Sequence, residues 1–553
     1  MRTSSKGPGL GQGQGQEMRR APGLAGLGAV VACLTAGAVA ATRGWSADAG
    51  TRGSVSLHLA LFLAAGAVWA LTLALLPRLA RRPGDLRLIW VLALALRIPA
   101  WLGMPAHSDD VYRYAWDGRV TRAGINPYRY PPAAPELDGL REGVRYQERG
   151  AERAPPRAST RGPLWARINN PDLPTIYPPA AQLAFVLAAA LPLGPLGGLK
   201  CVLGACDLGV LAVLIGLLRR RGEDPRWALA WGWSPLVAVE LGQNVHLDAL
   251  PLLALIGALW AWEVGRKGLA GVLLGLATAA KLITAPLLVA FRSGRAWGAM
   301  VGVMALLALP FVGARLAIAG STGEFARRWR TNDGVYGLVQ AGAERAICPL
   351  QLAIAARIAD PPPPPPSPTD PPLSPEEIQA RCSEPLYMKK YPEVAHAITG
   401  RSHRTTVFPD ELAAFVARGV AGAAIGLVVL IVRVWRLAPL AGTEWILGAL
   451  LLLTPALHPW YVVWLVPLVA LRRRAAWVAL AMLVPLGYVP LGAWLSGEPW
   501  RDPWWTRLLE HGVSWGLLVW EGWRAWRRRG AAQAEMEGAR AAILLPKRQG
   551  DIQ

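Results

Sequence analysis

Residues 55–76 read VSLHLALFLAAGAVWALTLALL, an uncharged apolar run closed on its far side by Arg78, Arg81 and Arg82. At about 1.5 Å per residue, a helix of that length crosses a hydrocarbon layer of roughly 30 Å. A soluble chain rarely needs even one such block. This one also holds Leu86–Gly103, Cys201–Leu218, Trp297–Ile318, Leu412–Val432, Trp445–Leu457 and Trp477–Leu491. Of the 553 residues 53% are hydrophobic and only 17% charged, against roughly 25% charged in soluble domains. The expectation is an all-α polytopic membrane protein, a bundle of about 11–14 transmembrane helices with large outer loops.

A formal charge of +21 invites a nucleic-acid reading. The basic residues, however, form short clusters at the ends of apolar blocks, with no stripe and no nucleic-acid motif, so nucleic acid is excluded as a partner and membrane lipid expected. Those clusters belong on the cytoplasmic side: Arg78/Arg81/Arg82, Arg219–Arg221, Arg266-Lys267, Arg292/Arg295, Arg433/Arg436, Arg472–Arg474 and Arg527–Arg529. Many of the 26 Trp residues sit at block ends, where an amphipathic ring suits the headgroup layer. Cys33, Cys201 and Cys206 lie in apolar blocks as small packing residues. Cys348 and Cys382 share a polar loop and could pair if it faces an oxidising compartment.

Counting crossings between basic clusters divides the chain. Residues 1–20 form a cytoplasmic basic tail and 21–103 the N-terminal membrane helices, the first of which (Ala21–Ala41) also reads as a signal peptide. Residues 104–175 form a first outer loop, and 176–318 a transmembrane core with an outer turn at 243–248. Residues 319–410 form a second outer loop, with a Pro-rich polyproline II insert at 361–375. Residues 411–529 supply the C-terminal membrane helices and 530–553 a cytoplasmic tail. Two segments strain the count. Tyr177–Leu193 cannot cross without misplacing Arg219–Arg221, so it is expected to lie in the interface or re-enter. Gly268–Ala290 lies between two basic clusters and is too short for two crossings, so a break near Lys281 is expected.

Several polar residues stand where apolar sequence makes them costly. The first outer loop opens His107-Ser108-Asp109-Asp110-Val111-Tyr112-Arg113-Tyr114-Ala115-Trp116-Asp117-Gly118. Its carboxylates suit chemistry, or Ser108 or Asp109 simply caps a helix. Downstream stand Gly124-Ile125-Asn126-Pro127-Tyr128, Thr175-Ile176-Tyr177-Pro178-Pro179 and Trp231-Gly232-Trp233-Ser234-Pro235. Then come Glu240, Gln243-Asn244-Val245-His246-Leu247-Asp248, Lys281 and His458-Pro459-Trp460-Tyr461. Lys281 is an isolated charge in apolar sequence, which suits an anion site or a snorkelling side chain.

In order and sidedness these motifs resemble the GT-C superfamily of membrane glycosyltransferases, and look closest to bacterial polyprenyl-phosphomannose-dependent mannosyltransferases. The resemblance covers Asp109–Lys281 well and the His458 region more loosely. It implies an inverting transfer of a hexose, mannose by resemblance, from a polyprenyl-phosphate sugar donor to a glycan or lipid-linked acceptor. It places the work outside the cell membrane, on the periplasmic side of a bacterial inner membrane. An Asp followed four residues later by an aromatic residue is the family's base, which here is Asp110 with Tyr114; Asp109 stands second. Asp248 takes the place of a second acidic residue, with Glu240, Asn244 and His246 beside it. It would position the base or share a divalent cation (Mg or Mn) with Asp110; the superfamily has members with and without metal. Lys281 would bind the lipid phosphate, with His458, Arg113 and Arg119 as further donors. A transporter or flippase of lipid-linked sugars is the rival reading, disfavoured because such proteins place polar residues at the midplane in repeated positions.

Overall fold

The computed structural model describes residues 23–43, 45, 50–141, 164–313, 330–358, 386–388, 392–399, 401 and 406–544. The Pro-rich insert and Cys382 lie outside these residues, as does the side chain of Cys348. The first half of the chain forms α1 (Leu24–Ala41), α2 (Gly50–Leu75), α3 (Asp85–Leu102), α4 (Asp110–Arg122), α5 (Pro179–Ala190) and α6 (Gly194–Arg220). After a broken helical stretch at 225–243 come α7 (Ala249–Glu263), α8 (Lys267–Ala280) and α9 (Gly294–Ala308). The second half adds α10 (Val335–Ile358), α11 (Pro409–Val434) and α12 (Pro439–Leu452). A segmented helix follows over Pro459–Arg472, then α13 (Ala475–Leu483) and α14 (Val513–Leu544). Leu386–Tyr387 and Thr406–Val407 form a two-residue antiparallel ladder. The protein is an all-α polytopic membrane protein.

Among the described residues, six helices are long and apolar enough to cross a membrane, fewer than the crossings expected. The difference has a cause in chain geometry. α7, α8, α12 and the Pro459–Arg472 segment are apolar but run only 14 or 15 residues, about 20–22 Å of helix. They lie inside the bundle, where protein rather than lipid covers their ends. α5 has 12 residues, about 18 Å, and packs beside α4 and α6. It is too short to span.

The basic clusters gather at one end. Arg81 pairs with Asp224, Arg473 with Glu223, and Arg221 with both Glu223 and Glu263. Arg472 and Arg474 meet Glu444, and Arg292 donates to the Leu437 carbonyl. From this end α3 runs to Leu102 and α8 to Ala280, while α7 and the Pro459–Arg472 segment run toward it. Four helices therefore carry the 103–110 loop, Asp248, Lys281 and His458 to the opposite end, roughly 20–27 Å away.

Within the core, Arg97 and Asp207 are sealed from solvent and joined by two hydrogen bonds of 2.7 and 3.0 Å. Arg97 also donates to the Gly232 carbonyl, and Trp231 Nε1 to Asp207. This pair locks α3 to α6 and to the 229–232 turn. Gly271 and Gly275 let α8 lie on α9 so closely that a Cβ would strike the Ala296 backbone or Val303, the small-residue packing of membrane helices. Two sequence expectations change. Cys33 and Cys201 face outward rather than into the packing, because their helix faces point at lipid. Trp69, Trp116, Trp231, Trp233 and Trp464 are buried in the protein, whereas Trp504, Trp520, Trp523 and Trp526 are exposed. The buried rings hold the core through donors such as Trp69 Nε1 to the Ala230 carbonyl.

Candidate functional site

Gly103 ends α3, and the following residues are held from below by Asn244. Its Oδ1 accepts the backbone N–H groups of Ala106 and His107 at 2.9 and 3.1 Å. Its amide nitrogen donates to His107 Nδ1 at 2.8 Å and to Glu240 Oε2 at 3.1 Å. All four positions of the amide are thereby used within the protein. α4 then starts with Ser108 as the working cap, since Asp110 N–H donates to Ser108 Oγ at 3.2 Å. Asp109 holds the N-cap position but makes no side-chain cap bond. Both carboxylates stay available.

Asp110 is half-buried, with 24% of its side chain exposed. Its Oδ1 accepts from Asn169 Nδ2 at 3.0 Å, and its Oδ2 lies 4.0 Å from His246 Nδ1. Burial raises its pKa above the usual carboxylate range and nearby Asp248 adds to that. The Asn169 bond and the charges of Lys281 and Arg113 oppose the rise. Burial, helped by Asp110, also lifts Asp109 to about 6 against the pull of Arg167.

Lys281 stands at the apex of the broken hairpin. α8 stops at Ala280, Lys281 is extended, and a 3-10 helix returns over Leu282–Ala290. The break falls where the sequence places it, and two threonines brace it. Thr278 Oγ1 meets Thr284 Oγ1 at 2.9 Å, and Thr284 Oγ1 reaches the Lys281 carbonyl at 3.2 Å. Lys281 Nζ donates to Asp248 Oδ1 at 2.6 Å and lies 4.7 Å from the centre of the Tyr461 ring. Trp464 Nε1 donates to the same Asp248 oxygen. Asp248 starts α7 without capping it. The turn before it passes through Val245 at φ 60°, a strained conformation for a β-branched residue, worth about 1–3 kcal/mol. It sets His246 between Asp110 and Glu240.

His246 stacks on Trp460 with ring centres 4.2 Å apart, and His458 stacks on Trp460's ring at the same spacing. The Pro455–His458 turn is strapped by the start of the second loop: Thr331 N–H donates to the Pro455 carbonyl, and Leu457 N–H to that of Thr331. The structure thus brings together Asp110, Asp248, Lys281, His246, Glu240, Asn244 and His458. Arg113 is engaged elsewhere, donating to Asp117 at 2.9 Å and to the Leu173 carbonyl. Tyr114 packs in the α4–α5 interface, stacked on Phe185. Arg119 sits in the last turn of α4, about two and a half turns from Asp110. Sequence reading missed Asn169, Trp464 and Tyr488, whose types carry no local signal. It also passed over His107, which stood at the head of the quoted motif.

A shared divalent cation does not fit this arrangement. Among the described residues no three His, Cys, Asp or Glu side chains are disposed to hold a metal ion. One Asp248 oxygen, Oδ1, is already taken by an ammonium and an indole.

A half-buried carboxylate with a raised pKa, beside a part-exposed lysine at a membrane-helix apex, can take a proton and hold an anion together. Residues 175–346 match the model of glycosyltransferase family 87. That match indicates a glycosyltransferase. It takes in Glu240, Asn244, His246, Asp248 and Lys281, while Asp109, Asp110 and His458 lie outside it. No curated protein and no solved structure matches the chain.

Proposed function

We propose that this glycosyltransferase is of GT-C type and moves a hexose from a polyprenyl-phosphate donor to a glycan or lipid-linked acceptor, with inversion. Mannose as the sugar rests on the motif resemblance. The observation that carries the reading is Asp110, its side chain part-exposed, standing beside the Lys281–Asp248 pair at the end opposite the basic clusters. By the positive-inside rule that end is the outer one, on the periplasmic side of a bacterial inner membrane.

In this mechanism Asp110 takes the proton of the acceptor hydroxyl as its oxygen attacks the anomeric carbon. The bond from that carbon to the phosphate oxygen breaks, and its electron pair leaves with the lipid phosphate. Positioned proton removal of this kind supplies roughly 10²–10⁴-fold. Lys281 meets the developing phosphate charge, with Asp248 fixing the direction of its ammonium. In this reading His458, partly exposed beside Trp460, acts as a second donor. Grouping of the polar residues at one end, rather than along a midplane path, favours transfer over transport.

Purified protein in liposomes, given a panel of labelled polyprenyl-phosphate sugars with candidate acceptors, tests the reading. Transfer from one such donor with inverted anomeric configuration is expected. Transfer with retention, or use of nucleotide sugars alone, would overturn it.

A further inference from the structure

Behind Asp110 the hydrogens of three side chains can be placed in sequence. The Asn244 amide nitrogen donates to His107 Nδ1 at 2.8 Å, so that nitrogen holds a lone pair and His107 Nε2 carries the ring's one hydrogen. His107 Nε2 lies 3.0 Å from His58 Nε2 and donates to it, so His58 Nε2 is a lone pair. His58 Nδ1 then carries the hydrogen that meets the Ala38 carbonyl at 2.8 Å. The Asn244 orientation is itself fixed by two backbone N–H groups at its oxygen. Both imidazoles are therefore neutral.

Glu240 is fully buried. It accepts from Asn244 at Oε2 and from the Tyr488 hydroxyl at Oε1. Its remaining close neighbours are His107 Nδ1, a lone pair, and His246 Nε2, each at 3.6 Å. None of these partners brings a fixed positive charge, and a buried carboxylate without one is costly. With the Tyr488 hydroxyl donating to Oε1 and the His107 Nδ1 lone pair taken by Asn244, the acceptor left for a neutral acid is the Nε2 of His246, which it faces at 3.6 Å without a formed hydrogen bond. His246 is itself sealed, and both its nitrogens lack a hydrogen-bond partner. Its Nδ1 faces Asp110 Oδ2 at 4.0 Å, and its ring lies flat on Trp460.

We infer that Glu240 works as a neutral carboxylic acid that fixes the tautomer of His246. His246 then presents an Nδ1–H to Asp110 and orients that carboxylate for the acceptor hydroxyl. Glu240 and His246 are positioning residues acting through Asp110. The inference rests on Asp110 being the base, but its central test needs no turnover.

The chain has seven histidines, few enough for ring-¹⁵N labelling and assignment by single His→Gln variants in the full-length protein in micelles. At pH 7 the expected pattern is Nδ1–H on His58, Nε2–H on His107 and Nδ1–H on His246. The other titratable groups facing His246 are Lys281, His458 and His107, of which Lys281 carries the charge. An Nε2–H tautomer or an imidazolium at His246 overturns the inference, whether or not any donor is turned over. Kinetics give the second arm. Glu240→Gln offers Nε2 an amide hydrogen only by giving up the bond that Asn244 makes to Oε2, and loses no more than about tenfold in turnover. Glu240→Met removes the donor and lowers kcat by about 10²-fold with donor KM little changed. Equal loss in both variants would mean that an ionised Glu240 is needed, which contradicts the inference.

Discussion

Replacing Lys281 by Met should destabilise the protein more than replacing its partner Asp248 by Asn. Asp248 has 1% of its side chain exposed and Lys281 has 23%. Lys281→Met keeps the aliphatic stem and strands a buried carboxylate with one neutral donor, the Trp464 indole. Breaking a buried pair from one side costs about 3–5 kcal/mol. The indole and the open edge at Lys281 put this case near the lower end, about 3 kcal/mol. Asp248→Asn leaves an amide oxygen to accept the same hydrogens and an ammonium that water can reach, so about 1 kcal/mol is lost. The double variant removes both charges together. It should lie about 2 kcal/mol above the sum of the singles, within the usual range for residues in contact. Reversible chemical denaturation in mixed micelles, followed by Trp fluorescence, measures all four corners of the cycle. Equal single losses that simply add would refute the buried, one-sided pairing on which the role of Lys281 depends.

The base must be ionised to act, so kcat/KM should fall as pH drops through the pKa of Asp110, with the acid limb above the usual carboxylate range. Lys281→Met should move that limb further up, because the lysine charge is one of the influences holding the pKa down; a pH profile of initial rates reads both. Arg97→Leu should cost about 3–5 kcal/mol by stranding Asp207, and Arg97→Leu with Asp207→Leu should recover most of it, measured by the same denaturation. A cysteine at Asn126, in the loop beside Phe311, should react with an impermeant maleimide from outside intact cells, whereas one at Arg436 should not.

The membrane class was legible from composition because lipid demands apolar blocks whatever their packing. Breaks were legible where charge bookkeeping forbade a crossing, as at Lys281 and in the short α5. The number of long spans was not legible. Short apolar helices such as α7 and α12 read like crossings in sequence, and only their neighbours reveal that protein covers their ends. Among the site residues, Asp110, Asp248 and Lys281 stood out because a charge in apolar sequence needs a reason. Arg113 carried the same signal yet is held by Asp117, whose partnership depends on Thr175 and Gln182 folding back across it. Asn169 and Tyr488 arrive from 59 and 248 residues away from the groups they touch. No local pattern announces them.

The central claim is that Asp110 removes the acceptor proton during transfer from a lipid-phosphate sugar. Its most direct test is the single-turnover rate of Asp110→Asn in liposomes, with the variant's fold checked by unfolding and donor binding by competition. The account predicts donor affinity within about threefold of the parent and a transfer rate lowered by about 10³-fold or more. A variant that binds donor and transfers sugar at the parent rate would contradict it.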